Sequence, residues 1–444
     1  MLLSEKEAKA MCEKLLGYVK AEDAAVNVSS EVYSHLRFAA NSFTTSGRRE
    51  NVTANVAVWM EKKRGSASTN ETDDAALRAA VEQAEQLARV SPVDREYLPT
   101  LGPQEYPPTG GYVEATAKIS LASRAKAIHE AIAACEKEKV MGAGFHQSRG
   151  TAGASATKNG NLNYNRSSLV SLGMTARTTE GNGSGYFLRN HFDVAKLDAA
   201  RVSREAIQKA LRSREPRTLD AGKYTVVLEA QAVADLLGFF GFVFDARSAD
   251  EGRSPFSAPG GKTRVGEKIS DERINIYSDP WHPELPGSPS AQGGLPAKKL
   301  YLVRNGVLEQ LVYSRFWAKQ KEKEPTPGPV NTIMESSAPP VSFDDMIKDT
   351  KRGLLVTRFW YIRPVNPQTV QQTGLTRDGL FLIENGKITA PVVNFRFNES
   401  PVRLLQNVAA MGQPVRVRGG EGAGMIAPPL VVNDFPFTSV SDAV

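Results

Sequence analysis

Runs of alternating apolar and polar residues, separated by turn sequences, are the feature that most limits how this chain can fold. The clearest run is VTANVAVWM at 52–60, whose period of two is that of a strand with one buried face. Turn sequences follow similar runs at 158–161 (KNGN) and at the Asn-Gly pairs 305–306 and 385–386. Asn-Gly supplies two residues at positive φ, which a two-residue hairpin requires. The sequence therefore predicts antiparallel sheets.

Helical patterns lie mainly in the N-terminal half. Apolar residues recur every three or four positions in 1–17, 73–90, about 114–138 and about 195–212. Strand patterns dominate beyond that point. The expected fold class is α+β, with an N-terminal α/β region of helices on antiparallel sheets, followed by a strand-rich C-terminal domain.

Two Pro-rich or charged stretches divide the chain. With 444 residues it is too long for one ordinary core. Periodicity stops in SPVDREYLPTLGPQEYPPTGG at 91–111 and again in SREPRTLDAGKY at 213–224. We therefore predict an N-terminal α/β subdomain at 1–111, a second α/β subdomain at 112–215 and a β-rich C-terminal domain at 216–444.

Composition limits the compartment and the partners. The apolar stretch Leu236–Phe244 is interrupted by glycines and is far shorter than the roughly 20 residues of a membrane helix, so no membrane span is expected. The start MLLSEKEAKAMCEKLL lacks the pattern of a secretory signal, and a cytoplasmic location is expected. The net charge of +6 is spread over mixed runs, which does not indicate nucleic-acid binding. Cys12 and Cys135 are too few for a disulfide framework and are expected to be buried or idle thiols.

Local metal and phosphate motifs are incomplete. His129-Glu130 lies in a helical pattern, but positions 133 and 134 are both Ala, so the second imidazole of a helical zinc site is missing. An ordinary surface histidine is the simpler interpretation of His129. No two of the five histidines fall within four residues of each other. The late GGEGAG at 419–424 is best interpreted as a flexible or tightly turning loop.

One segment combines aromatic and guanidinium groups. Within 354–387 the candidate residues for a surface that binds a peptide or a carboxylate are Trp360, Tyr361, Arg363 and Arg377, and Arg253 joins them from the FDARSADEGRS segment. The alternative is a sheet core whose arginines extend along it to solvent. Sequence leaves both interpretations open.

The chain resembles the TldD/PmbA family along nearly its whole length. The resemblance is strongest at GKYTVVLEAQAVADLLGFFGFVFDARSADEGRSPFS, residues 222–257. Further matching stretches are RGSASTN (64–70), SLGMTARTTEGNGSGY (171–186), GEKISDERINIYSDP (266–280), KRGLLVTRFWYIRPVNPQT (351–369) and GLFLIENGKI (379–388). Such an ordered set is far more specific than any single match.

The resemblance also indicates which branch of the family the chain is similar to. TldD-type members carry His-Glu-x-x-x-His on the helix after the TVVL-like strand, and a cysteine near the C-terminus completes their zinc site. Here Ala230 and Asp235 replace the two histidines and Gln231 replaces the glutamate, while no cysteine follows Gly412. The pattern resembles PmbA/TldE, so the resemblance implies no catalytic residue, no metal and no cofactor on this chain, with zinc only in a TldD-type partner.

Three hypotheses follow. The preferred one is a non-catalytic PmbA/TldE-like subunit of a TldD-type metallopeptidase complex acting on short or unfolded peptides, as a heterodimer with a TldD-like subunit or as a homodimer. The second is that the chain is itself a metal-dependent peptidase, with ligands from His146, His191 or His282 and nearby acids. The third, which takes the basic pI at face value, is a binding protein with a nucleic-acid or regulatory association.

Overall fold

The structure is a computed structural model that describes residues 1–238, 240–418 and 424–441. Residues 419–423 of the GGEGAG loop lie outside the described residues, so the interpretation of that loop stays a prediction.

Six long strands form one N-terminal sheet. They are β1 (Asp23–Ala39), β2 (Ser42–Met60), β3 (Lys63–Thr69), β4 (Val140–Thr157), β5 (Leu162–Thr178) and β6 (Ser184–His191). Their order across the sheet is β3-β2-β1-β4-β5-β6, and every neighbouring pair is antiparallel. The alternation seen in the sequence appears as burial: one face of β1 is covered and the other is half-exposed.

Helices cover one face of this sheet and add short elements to the C-terminal part. The α-helices are α1 (Glu5–Tyr18), α2 (Asp74–Val90), α3 (Glu114–Ala117), α4 (Leu121–Lys137), α5 (Ala199–Arg212), α6 (Ala230–Leu237), α7 (Ala246–Asp250), α8 (Arg315–Gln320), α9 (Phe343–Asp349) and α10 (Pro401–Gln406). Short 3-10 helices span Val194–Lys196, Phe240–Phe244 and Gln292–Gly294.

The N-terminal region is an internal structural repeat. α1, β1, β2, β3 and α2 follow in one half, and α4, β4, β5, β6 and α5 follow in the same order in the other. The halves meet where β1 pairs with β4 from Ala25–Thr157 to Phe38–Gly144. Two separate hydrophobic clusters, one under each pair of helices, fill the space between helices and sheet.

Each edge strand of the repeat carries a glycine against a helix. A Cβ on Gly65 of β3 would lie 2.0 Å from the carbonyl oxygen of Ala84 in α2. A Cβ on Gly185 of β6 would lie 2.2 Å from the carbonyl oxygen of Ala206 in α5. Only glycine therefore permits these two helices to pack so closely on the sheet.

The C-terminal part contains the remaining strands. They are β7 (Gly222–Leu228), β8 (Ser257–Ala258), β9 (Lys262–Thr263), β10 (Ile274–Ser278), β11 (Leu300–Arg304), β12 (Val307–Leu308), β13 (Thr332–Ser336), β14 (Arg352–Val356), β15 (Phe359–Asn366), β16 (Gln371–Thr376), β17 (Leu380–Glu384), β18 (Lys387–Pro391), β19 (Phe395–Glu399), β20 (Val408–Met411), β21 (Val415–Arg418), β22 (Gly424–Ala427) and β23 (Leu430–Val440).

These strands form a nine-stranded and a six-stranded sheet around a large core. The first has the order β15-β16-β19-β23-β7-β14-β17-β18, with β20 pairing with β23, and the second has the order β12-β11-β10-β13-β22-β21. One hydrophobic cluster includes residues from both sheets and from α6. β7 is a central strand of the larger sheet, and it therefore delivers the helix α6 that follows it into the middle of the domain.

The predicted turns are confirmed. Asn305 and Gly306 join β11 to β12 with φ of 48° and 78°, and Asn385 and Gly386 join β17 to β18 with φ of 51° and 75°. The predicted helix at 114–138 is two helices, because Ser120 begins a new one by accepting a hydrogen bond from the Ser123 backbone N–H at 3.0 Å.

The α+β fold class is confirmed, with antiparallel sheet and helices in the N-terminal region and a strand-rich C-terminal part. The division at 111 and 215 stays a prediction. No helix in the described ranges is long and apolar enough to cross a membrane. Cys12 and Cys135 are free buried thiols, as expected, and burial raises the pKa of the first to about 12 and of the second to about 11.

Candidate functional site

The helix α6 lies at the centre of the C-terminal domain. Its N-cap residue Glu229 follows β7 directly, and the Glu229 backbone N–H donates to the carbonyl oxygen of Val356 at the end of β14. The Glu229 carboxylate accepts a hydrogen bond of 2.6 Å from Lys209 of α5. The backbone of Glu229 is thus held by the sheet, and its side chain is held by the N-terminal region.

Hydrogen bonds occupy both carboxylate oxygens of Asp235. The side-chain N–H of Gln231 donates to Oδ1 at 2.8 Å, and the backbone N–H of Phe359 donates to Oδ2 at 3.0 Å. The same Gln231 amide also donates to the carbonyl oxygen of Arg418, at 2.6 Å. Asp235 is only 5% exposed. Two of the three positions that resemble the zinc motif, Gln231 and Asp235, are therefore joined by hydrogen bonds to each other and to β15 and β21.

This set of groups does not fit a zinc ion. Ala230 offers a methyl group, Gln231 offers an amide whose N–H groups point at the two acceptors just described, and Asp235 already accepts at both oxygens. Zinc in proteins needs at least three nitrogen, sulfur or carboxylate ligands. An amide also cannot take a proton from water, which a hydrolytic base must do.

The histidines do not form an alternative centre in the described ranges. No group of three or more His, Cys, Asp or Glu side chains there is placed to hold a metal ion. His146 is buried under the helices, whereas His191 at the end of β6 lies 3.4 Å from the carboxylate of Glu284. His282 accepts a hydrogen bond from the Glu284 backbone N–H at 3.3 Å. His129 is exposed on α4, in agreement with the simpler interpretation of the sequence.

Four of the five predicted surface residues lie together, three on β15 and Arg377 directly after β16. Trp360 and Tyr361 are 46% and 60% exposed. The guanidinium of Arg377 lies 5.7 Å from the Trp360 ring, and that of Arg363 lies 4.4 Å from the Tyr361 ring. Such exposed cation–π pairs leave aromatic surface open to solvent. Arg253 instead lies after α7 and forms an ion pair with Glu251.

Arg358, which the prediction left out, joins this surface to the N-terminal region. Its guanidinium lies 3.8 Å from the Tyr186 ring centroid and 4.8 Å from that of Trp360, and it donates to Asp378 at 3.0 Å. Ser184 of β6 also donates to Asp378. The contacts of Arg358 with Tyr186 and of Ser184 with Asp378 join positions more than 150 residues apart, and no local sequence signal could have indicated them.

A cavity of about 670 Å³ lies on the half-exposed face of the N-terminal sheet. Its floor is a row of cross-strand partners, namely Asn55, Asn27, Ser155 and Asn163 on β2, β1, β4 and β5. Asn27 donates to Ser155 at 2.8 Å. Arg315 forms part of the opposite wall. Sequence reasoning missed this row because each residue comes from a different strand.

Comparison with protein families agrees with this architecture. Residues 221–439 match the PmbA/TldA metallopeptidase C-terminal domain, and residues 24–88 match the PmbA/TldA metallopeptidase domain 1. The resemblance seen in the sequence is therefore confirmed independently for both ends of the chain.

Known proteins similar to this chain fall in the same group. It is 24% identical over 271 residues to a metalloprotease TldD homolog of Buchnera aphidicola, which covers 56% of this chain and 54% of the relative. It is 26% identical over 161 residues to a metalloprotease of Archaeoglobus fulgidus, covering 33% and 36%. The chain thus spans about half or less of the length of the curated relatives it matches.

Solved structures share the fold over the full length. TldE from Thermococcus kodakarensis superimposes with a TM-score of 0.85 at 18% identity, covering 97% of this chain and 99% of that one. A protein proposed as a modulator of a DNA gyrase, from Thermotoga maritima, gives 0.85 at 19%, covering 97% and 100%. With its fold and both of its matched domains in agreement, the chain belongs to the TldD/PmbA metallopeptidase family.

Proposed function

We propose that this chain is a non-catalytic, PmbA/TldE-like subunit of a TldD-type metallopeptidase complex that acts on short or unfolded peptides. The observation that carries the proposal is the hydrogen bonding of the Asp235 carboxylate. Both of its oxygens accept protein hydrogen bonds, at the position where the family resemblance calls for a ligand. Zinc and the general base then belong to a TldD-like partner, and this chain needs no cofactor.

The role in peptide binding rests on two surfaces. In the cavity, the side-chain amides of Asn55 and Asn163 offer donors and acceptors that match a peptide group, and Asn27, whose N–H groups donate to Ser155 and Ala154, offers its oxygen. The exposed rings of Trp360 and Tyr361, each beside a guanidinium, offer apolar area and positive charge to side chains or to a terminal carboxylate. Neither surface selects a particular side chain, which suits unfolded peptides of varied sequence.

The role as a subunit is supported by an open strand edge. β3 pairs with β2 from Ala54 to Met60, and residues 42–53 of β2 pair with β1 alone in the described chain. An open edge of this length can accept a strand of another chain. Phe43 on this edge is 48% exposed. We propose that a homologous chain, either TldD-like or a second copy, contacts this edge.

The proposal includes a cytoplasmic location. Both cysteines are unpaired thiols, which suits a reducing compartment.

Metal analysis and peptidase assays test the catalytic part. The purified chain is expected to contain no stoichiometric zinc and to leave an unfolded peptide intact with each of several divalent metals. Addition of the zinc-bearing homologue from the same cell is expected to give more cleavage than that homologue alone. Tight zinc that is lost in Asp235→Ala, or metal-dependent cleavage by the pure chain, would refute the proposal and favour an independent peptidase.

The partner contact has its own test. Sedimentation of the two co-expressed chains is expected to show a heterodimer, and a chain without its partner is expected to show a monomer or a homodimer. Phe43→Glu should weaken the association, whereas Val440→Glu, at a comparably exposed position on β23, should not. Equal affinity of both variants would place the contact elsewhere.

A further inference from the structure

Under α4 lies a group of buried polar side chains that the proposed function does not use. Arg124 of α4 is 4% exposed and His146 of β4 is 1% exposed. Ser34 of β1 and Ser148 of β4 are 2% and 3% exposed, and they are direct cross-strand partners. His146 and Ser148 are two residues apart and therefore share one face of the sheet, the face that α4 covers. We call these four residues the α4 polar cluster.

Three polar atoms of this cluster have no hydrogen-bond partner in the described protein. Among the described residues, Nε and Nη1 of Arg124 and Nδ1 of His146 are buried and have no hydrogen-bond partner. A buried donor without a partner costs roughly 1–3 kcal/mol, and more when it carries a charge. Arg124 supplies two such donors, and Nδ1 of His146 is a third polar atom without a partner, a donor in one tautomer of the ring and an acceptor in the other, so the cluster has room in its hydrogen bonding for a ligand.

The charge of the cluster is positive. Burial and the neighbouring Arg48 lower the pKa of Arg124, yet a guanidinium stays protonated at any physiological pH. Burial and Arg124 lower the pKa of His146 to about 4, so this imidazole is neutral at pH 7. Arg48 lies on β2 directly opposite Ser34 and is half-exposed, bound to Glu50 at 2.7 Å.

Water molecules alone would not neutralise the charge of this cluster. Water can accept hydrogen bonds from the free N–H groups, but it leaves the buried guanidinium without a counter-charge. A guanidinium binds two oxygens of one anion through a pair of neighbouring N–H groups, Nε with Nη2 or Nη1 with Nη2, so the free Nε and Nη1 of Arg124 can each contribute to such a pair. Hydroxyl groups such as those of Ser34 and Ser148 can donate to further oxygens.

We propose that the α4 polar cluster binds a small tetrahedral oxyanion, such as inorganic phosphate, with Arg124 as the main ligand and with His146, Ser34 and Ser148 around it. The site lies in the N-terminal sheet, and the proposal does not depend on peptide binding or on the partner subunit.

Calorimetric titration of the full chain with sodium phosphate tests the proposal. The expected result is saturable binding that sodium chloride at the same ionic strength does not give. Arg124→Met should weaken it about ten-fold or more, since a charge-assisted pair of hydrogen bonds is lost. Arg89→Met, which removes an exposed charge from α2, should leave it unchanged. Equal binding by chloride, or full affinity in Arg124→Met, would overturn the proposal.

Two further measurements keep the test decisive if Arg124→Met does not fold. His146→Gln should also weaken phosphate binding. Nuclear magnetic resonance titration of the His146 ring should show its pKa rising on addition of phosphate, because a nearby anion favours the imidazolium. An unchanged pKa would count against an anion beside the ring. Acetate binding as tightly as phosphate would overturn the choice of a tetrahedral ligand.

Discussion

The guanidinium of Arg358 lies 3.8 Å from the centroid of the Tyr186 ring, so the strand-rich domain and the edge strand of the N-terminal sheet share a half-buried cation–π contact. Burial raises the pKa of the Tyr186 hydroxyl, against the opposing effect of Arg358. The ion pair of Arg358 with Asp378 is nearly closed to solvent, with side-chain exposures of 11% and 3%.

Removal of this guanidinium should destabilise the protein. Arg358→Met leaves the buried Asp378 carboxylate without its closest cation, and breaking a buried pair in this way costs roughly 3 kcal/mol. Urea denaturation should show the loss in the free energy of unfolding. Arg95→Met, at an exposed position in the linker after α2, should change it by less than about 0.5 kcal/mol. Similar values for both variants would mean that Arg358 does not join the two regions.

The hydrogen-bond network on α6 predicts that replacing Gln231 by the glutamate of the family motif destabilises this protein. Gln231→Glu removes two donated hydrogen bonds and brings a second carboxylate to Asp235, so unfolding should become easier by roughly 2–3 kcal/mol. Thermal denaturation at pH 7 measures the change. Gln83→Glu, on the exposed face of α2, is the matched control and should be nearly neutral. A stable Gln231→Glu variant would contradict the assigned donor role of this amide.

His146 should make the folded state sensitive to acid. Its pKa is about 4 in the folded protein and about 6.5 in the unfolded chain, so below pH 6.5 the unfolded state binds a proton that the folded state does not. Stability from this group is complete above pH 6.5 and falls as the pH drops toward 4, by about 3 kcal/mol in total. In anion-free buffer the pH profile of unfolding should be flatter for His146→Gln, and His129→Gln on the surface of α4 should keep the parent slope. A parent-like slope in His146→Gln would show that other groups control the acid response.

The two glycines of the edge strands should be equally intolerant of a side chain. Gly65→Ala and Gly185→Ala each push a methyl group into a helix backbone at 2.0 Å and 2.2 Å, and overpacking of this kind costs about 1–3 kcal/mol. Gly17→Ala, near the end of α1, meets nothing within 4 Å and should be neutral or slightly stabilising. Chemical denaturation of all three variants checks the ranking, which would be wrong if Gly17→Ala were the least stable.

Local signals predicted the fold well. The Asn-Gly turns appear at the predicted positions because a tight turn depends on its own two residues. The helix α2 spans Asp74–Val90, close to the predicted 73–90, and the Asp73 side chain caps it by accepting from the Ala76 backbone N–H. The predicted helix from 114 to 138 missed the break at Ser120, since an N-cap inside a helical pattern gives only a weak signal.

Long-range relationships could not be predicted. The family motif placed Ala230, Gln231 and Asp235 on α6, but the acceptor that holds Gln231 lies on β21, 187 residues away. The row of Asn55, Asn27, Ser155 and Asn163 depends on the register of four strands, which no single run of alternating residues specifies. The internal repeat was also missed, and it is visible in the order of the elements.

The seam between β1 and β4 decides how the N-terminal region could be divided. β1 pairs with β4 from Ala25 to Phe38. A fragment that stopped at residue 111 would therefore expose the hydrogen-bonding edge of β1 that faces β4 to water. Each half supplies the missing neighbour of the other, so two separately made pieces would be complementary halves rather than independent modules.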